Sequence, residues 1–136
     1  MITIFADTHY WIALANPRDE WHVTARETSR RMAASRIVTC DEVLSEFLAF
    51  YAGRGPYWRS KATRVVHKIY QQNLVDVIPQ SRYSFKRGLK LYESRIDKCY
   101  SLTDCISMET MRLQGITNVL THDHHFEQEG FVLLLV

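Results

Sequence analysis

The chain has 136 residues, 46% of them hydrophobic and 24% charged, with a formal net charge of +2. That length predicts one globular domain over residues 1–136 with a core large enough to need no staple, and the composition excludes a disordered chain. No apolar run is long enough to span a bilayer, no basic leader precedes the first one, and three cysteines without a CxxC spacing form neither a disulfide framework nor a zinc pattern; a reduced, cytoplasmic protein with no membrane partner is expected.

Residues 2–6 read as a buried strand, and Thr8 to Ala15 as a short helix closed by Asn16-Pro17. A second helix is predicted from Glu20 to Ala34, with Trp21, Val23, Ala25 and Met32 on its inner face. Ile37 to Thr39 is a short strand, and Asp41 to Tyr51 a helix with Val43, Leu44, Phe47, Leu48 and Tyr51 at helical spacing. Gly53-Arg54-Gly55-Pro56 breaks the pattern before a helix over about Trp58 to Gln72. Val75 to Ile78 is a strand stopped by Pro79, and Ser81 to Ser94 and Ser101 to Leu113 are helices, the second closed by Gly115. Asn118 to Thr121 and Phe131 to Leu135 complete the strands. Strands alternating with helices predict an α/β fold, a three-layer α/β/α sandwich around a central, mostly parallel sheet of about five strands.

In such a sheet, functional groups collect where strands end. Asp7 follows the first strand and Asp123 the fourth; Asp104 lies in the first turn of its helix and Glu46 one turn into its own. Each acid has a structural explanation. Asp7 can cap a helix, Ser101-x-x-Asp104 is close to a capping box, Asp123 can make an Asx turn, and Glu46 can be solvated. Taken together, strand ends and helix starts face the same edge, so all four carboxylates converge there. Like charges so placed repel, and a hard divalent cation relieves the repulsion. Such an ion activates water and stabilises charge on a phosphate oxygen, which points to phosphodiester hydrolysis. Asp41 and Glu42 are assigned to capping, because Thr39-x-x-Glu42 fits that signal.

The stretches FADTHYWIAL, TCDEVLSEFL and YSLTDCISMETMRLQGITNVLTHDHHFEQEGF resemble the PIN-domain nucleases, especially the toxin ribonucleases of VapBC toxin–antitoxin pairs. The resemblance implies a metal-dependent endoribonuclease that hydrolyses RNA by metal-activated water, with Mg2+ or Mn2+ as cofactor. It implies that Asp7 and Asp104 bind the metal, that Glu46 and Asp123 do so directly or through water, and that Thr8 and Thr121 are supporting hydroxyls. An RNA substrate, a cognate antitoxin and a second copy of the chain follow as partners. A PIN nuclease with a processing role and a non-catalytic RNA-binding module remain alternatives. An aspartyl-phosphate phosphatase is disfavoured, since His9 stands where a second acid is expected two residues after Asp7.

Two further features complete the reading. Arg59, Arg64 and Lys68 lie among Tyr57, Trp58 and Tyr70, a mixture suited to a phosphate backbone with bases that stack; the alternative is a solvated face. His122, His124 and His125 flank Asp123 and exceed what the motif requires. A solvated loop is expected for them, rather than a zinc site.

Overall fold

The computed structural model describes residues 1–136. The apolar run Thr3–Ala6 forms β1, buried from Ile4 onward, and α1 (Thr8–Ala15) follows after one residue. The chain continues through α2 (His22–Arg31), β2 (Arg36–Cys40), α3 (Asp41–Tyr51), α4 (Pro56–Gln71) and β3 (Val75–Ile78). It ends with α5 (Arg82–Ser94), α6 (Leu102–Gln114), β4 (Asn118–Leu120), α7 (His124–Gln128) and β5 (Val132–Leu133).

The five strands are all parallel, in the order β3-β2-β1-β4-β5. Phe5 of β1 aligns with Val38 of β2 on one side and Val119 of β4 on the other. The chain therefore winds outward from β1 to β3, then crosses to β4 and winds the opposite way. Right-handed crossovers place α1 to α4 on one face and α5 to α7 on the other, which makes three layers. Within the layers α1 packs with α2 and α3, α3 with α4, α5 with α6 and α6 with α7, while α3 also meets α6 across the division. One cluster of 30 buried hydrophobic residues fills the interior, including Phe5, Tyr10, Phe47, Tyr51, Met108 and Phe126.

Several local expectations are corrected. Val23 is 66% exposed, because residues 21, 25, 28 and 32 share a helix face while position 23 lies opposite; buried Thr28 takes the inner place. Leu48 is likewise at the surface. The expected Thr39–Glu42 capping box does not form. Cys40 occupies the N-cap of α3, and the Thr39 hydroxyl instead donates to the Ala6 carbonyl at 2.9 Å. Asp41 accepts from the Tyr70 hydroxyl at 2.7 Å and the Gln80 N–H at 2.9 Å, which ties α3 to α4 and to the loop after β3. The one-turn helix α7 escapes a reading based on period, since five residues are too few to show one.

Gly88 sets the closeness of α5 and α6. A Cβ there would stand 2.4 Å from Ile106 Cγ1 and 3.1 Å from the Ile106 backbone nitrogen. Gly88→Ala should therefore destabilise the protein by about 1–2 kcal/mol, read from denaturant melts, even though alanine is the better helix former. Equal or higher stability would show that α6 gives way freely.

Candidate active site

The site begins at the carboxyl end of β1. Asp7 holds the N-cap position of α1, yet its side chain makes no capping hydrogen bond. Its residue is 1% exposed. Oδ2 accepts a hydrogen bond from the Thr121 hydroxyl at 2.9 Å, and Oδ1 is buried with no partner. The neighbouring Thr8 hydroxyl is also buried and unpartnered. Burial pushes the Asp7 carboxyl up to about 7; His9 opposes the rise and the charge of Asp104 adds to it. The capping account of Asp7 fails on this geometry.

Thr121 follows β4 and joins two acids. Its hydroxyl donates to Asp7 and accepts from the Asp123 N–H at 3.1 Å. Asp123 caps α7, with Oδ1 accepting from the His125 N–H at 3.0 Å, so the expected local turn role is present. Its other oxygen lies 3.8 Å from His9 Nε2. Asp104 sits in the first turn of α6 in a reciprocal capping box with Ser101, each backbone N–H bonding the other's side chain at 3.0 Å. It is nonetheless buried, and Oδ2 lies 3.5 Å from His125 Nδ1. In Asp104 and Asp123, capping coexists with a place in the acidic cluster.

Asp104, Asp123 and His125 each present one ligand atom within 4.8 Å of the other two. Asp7 and Glu46 fall outside that trio. Asp7 is joined to it through Thr121 and by its electrostatic coupling to Asp104, whereas Glu46 is half-buried in the second turn of α3 with no hydrogen bond or ion pair to these acids.

The histidines correct the solvated-loop expectation. His124 alone fits it, exposed and beside Glu127 at 3.2 Å. His122 lies flat on Trp21, rings 4.6 Å apart at 9°, and packs against His9 with centroids 4.6 Å apart. Burial pulls its pKa down. His125 lies beside the Asp104 and Asp123 carboxylates, 3.4 Å from the latter, a placement not expected from the sequence. The available signal was its position two residues past an N-cap aspartate.

The basic candidates make local contacts of their own. Arg59 donates to the Ala52 carbonyl at 3.0 Å, closing the end of α3, and Arg64 donates to Ser60 at 2.8 Å one turn earlier on α4. Arg64 and Lys68 are exposed. Of the aromatics among them, Trp58 stacks on buried Tyr51, while Tyr57 and Tyr70 remain exposed. Cys40 and Cys105 are buried, with thiols pushed by burial to about 12 and about 11, so neither is an activated nucleophile.

Buried carboxylates, an orphaned oxygen and an orphaned hydroxyl at the point where strand order reverses define an acidic-site α/β protein, with a donor set fit for a hard divalent cation. The PIN domain family model matches residues 4–131, and the chain belongs to that family. It is 29% identical over 132 residues, 95% of each chain, to the 23S rRNA-specific endonuclease VapC20 of Mycobacterium tuberculosis. The crystal structure of that VapC20, described as a sarcin-ricin loop cleaving toxin, superposes with a TM-score of 0.82 at 27% identity, covering 95% of this chain and 96% of the other. VapBC2 from Rickettsia felis, solved bound to a DNA fragment from its promoter, shares the fold at a TM-score of 0.71 and 10% identity, over 97% of both chains. No helix is long and apolar enough to cross a membrane.

Proposed function

We propose that this chain is a divalent-metal-dependent endoribonuclease, the toxin of a type II toxin–antitoxin pair acting in the cytoplasm. The observation that carries the reading is Asp7. A carboxylate buried with one oxygen unpartnered, beside a second buried acid, is costly unless it serves a ligand. The likeness to an endonuclease over 95% of the chain supports the choice of RNA as substrate.

Asp7 and Asp104 would hold Mg2+ or Mn2+ directly, with Asp123 and Glu46 completing the shell directly or through water. The bound ion would polarise a phosphate oxygen and lower the pKa of water at the scissile bond. Thr121 fixes the rotamer of Asp7 and the backbone of Asp123 together, so both acids enter the site in one register. His125 would bridge Asp104 and Asp123 through Nδ1, which lies 3.5 and 3.4 Å from their carboxylates, and Thr8 would offer its unpartnered hydroxyl to the phosphate or to water. In-line attack by water leaves a 5′-phosphate and a 3′-hydroxyl without use of the ribose 2′-hydroxyl. Arg64 and Lys68, with Arg59 at their flank, would add attraction to the RNA backbone. A cognate antitoxin and a second copy of the chain are the protein partners of this reading.

Asp104→Asn removes a charge while retaining a side chain that can accept the Ser101 N–H hydrogen bond. Isothermal titration should show manganese affinity reduced about tenfold or more in the folded variant. Unchanged affinity would separate Asp104 from the metal and sink the shared site.

A further inference from the structure

A groove of about 520 Å3 lies between α6, the start of α5 and the first turn of α3, with Thr103, next to Asp104 in the chain, in its wall. Leu102 and Ile106 of α6 supply an apolar lining, and Phe85 of α5, 43% exposed, presents an aromatic surface there. Gln80, Ser81 and Arg82 enter from the start of α5, and Glu42 from the first turn of α3. The arginines further along are committed: Arg87 faces Glu109, while Arg95 and Arg112 hold Glu129. Arg82 is exposed and holds no carboxylate.

These groups match the base and the phosphate of a nucleotide. An aromatic ring offers a stacking surface to a base, an uncommitted guanidinium suits a phosphate, and an acceptor-only carboxylate suits an exocyclic amino group. We propose that this groove is a nucleotide subsite for single-stranded RNA flanking the scissile bond, with Phe85 stacking the base, Arg82 holding a phosphate and Glu42 reading an amino group on the base edge. The assignment rests on the ribonuclease reading and adds where the strand runs and which bases it favours. Uracil lacks an exocyclic amino group, so the subsite discriminates against it.

The test uses the full chain in EDTA, so that binding is read without cleavage. The probe is a short fluorescein-labelled single-stranded RNA of mixed sequence, followed by anisotropy. Phe85→Leu keeps the apolar character and should weaken binding about tenfold. Arg82→Gln should flatten the slope of log affinity against log salt by about 0.7. Tyr83→Leu, on the same helix but outside the groove, should change neither. Wild type should bind oligocytidine more tightly than oligouridine, and Glu42→Ala should erase the difference. Circular dichroism checks that each variant is folded, and Arg82→Gln carries the test if Phe85→Leu is not. Wild-type affinity and slope in the folded variants, with wild-type RNA cleavage intact, overturns the subsite and leaves the ribonuclease reading standing. No RNA binding or cleavage by wild type overturns both. Variants that keep RNA but lose a protein partner would make the groove a protein-docking surface and overturn the subsite.

Discussion

Asp7→Asn should sharply reduce RNA cleavage while making the metal-free protein more stable at neutral and alkaline pH. The two halves of that result have one cause. The Asp7 carboxyl is buried, and its pKa in the folded state is about 7, well above the value of an exposed aspartate near 3.9 in the unfolded chain. The folded protein therefore binds more protons than the unfolded one between those values. Metal-free stability falls as pH rises through that window and stays low above it. At about 1.4 kcal/mol per unit the cost reaches a few kcal/mol by pH 8. Asparagine is neutral throughout, so the variant should melt higher than wild type at pH 8, and the two should converge as pH falls toward 4. Thr121 can still donate to the amide oxygen, which preserves the local geometry. Cleavage supported by manganese should drop about 100-fold or more, since a ligand charge is gone. Wild-type cleavage by folded Asp7→Asn would return the residue to a structural role. A melting temperature unaffected by the substitution at pH 8 would show that the carboxylate is better solvated than the structure places it.

Glu129→Gln should act in the opposite sense. Glu129 lies at the end of α7 with its side chain 6% exposed. Arg95 Nε and Nη2 donate to it at 2.9 and 3.2 Å, Arg112 at 2.7 Å and the Tyr100 hydroxyl at 2.9 Å. Burial opposes its charge, but the hydrogen bonds from Arg95, Arg112 and Tyr100 outweigh it and hold the pKa at about 2. The stabilisation is present above the unfolded glutamate value, near 4.3, and is lost as pH falls from there through about 2. Glutamine turns an amide N–H toward a guanidinium and leaves donors unpaired. Stability at pH 7 should drop by about 2 kcal/mol, with both arginines partly open to water. The acid limb of the wild-type stability curve should be shallower in the variant. Thermal melts from pH 2 to 7 read both effects, and parallel curves would remove Glu129 from acid denaturation. Because Glu129 secures the end of α7 while Asp123 and His125 stand at its start, the variant should also bind manganese more weakly.

The elements that carry their own local evidence were legible in the sequence. Helices α1 and α3 and strand β3 fall where helical period, alternation and flanking proline place them, because those signals lie among near neighbours. The Ser101–Asp104 capping box was readable for the same reason, its two partners being three residues apart. The alternation of strands and helices was enough to predict a parallel sheet with acids gathered along one edge. What those acids do was decided only by the tertiary structure. Asp7 has a helix N-terminus beside it that it could cap, yet it turns to a hydroxyl 114 positions away, because the sheet reverses its strand order between β1 and β4 and brings Thr121 alongside. His122 and His125 are three residues apart, but one is stacked on Trp21 of another segment and the other is set beside two carboxylates. Glu129 carries no signal in its local sequence, and Arg95, Tyr100 and Arg112 reach it only through the tertiary fold. Local pattern determines where the chain is helix or strand, and the long-range pairing of β1 with β4 determines which of its polar groups meet and in what chemical state.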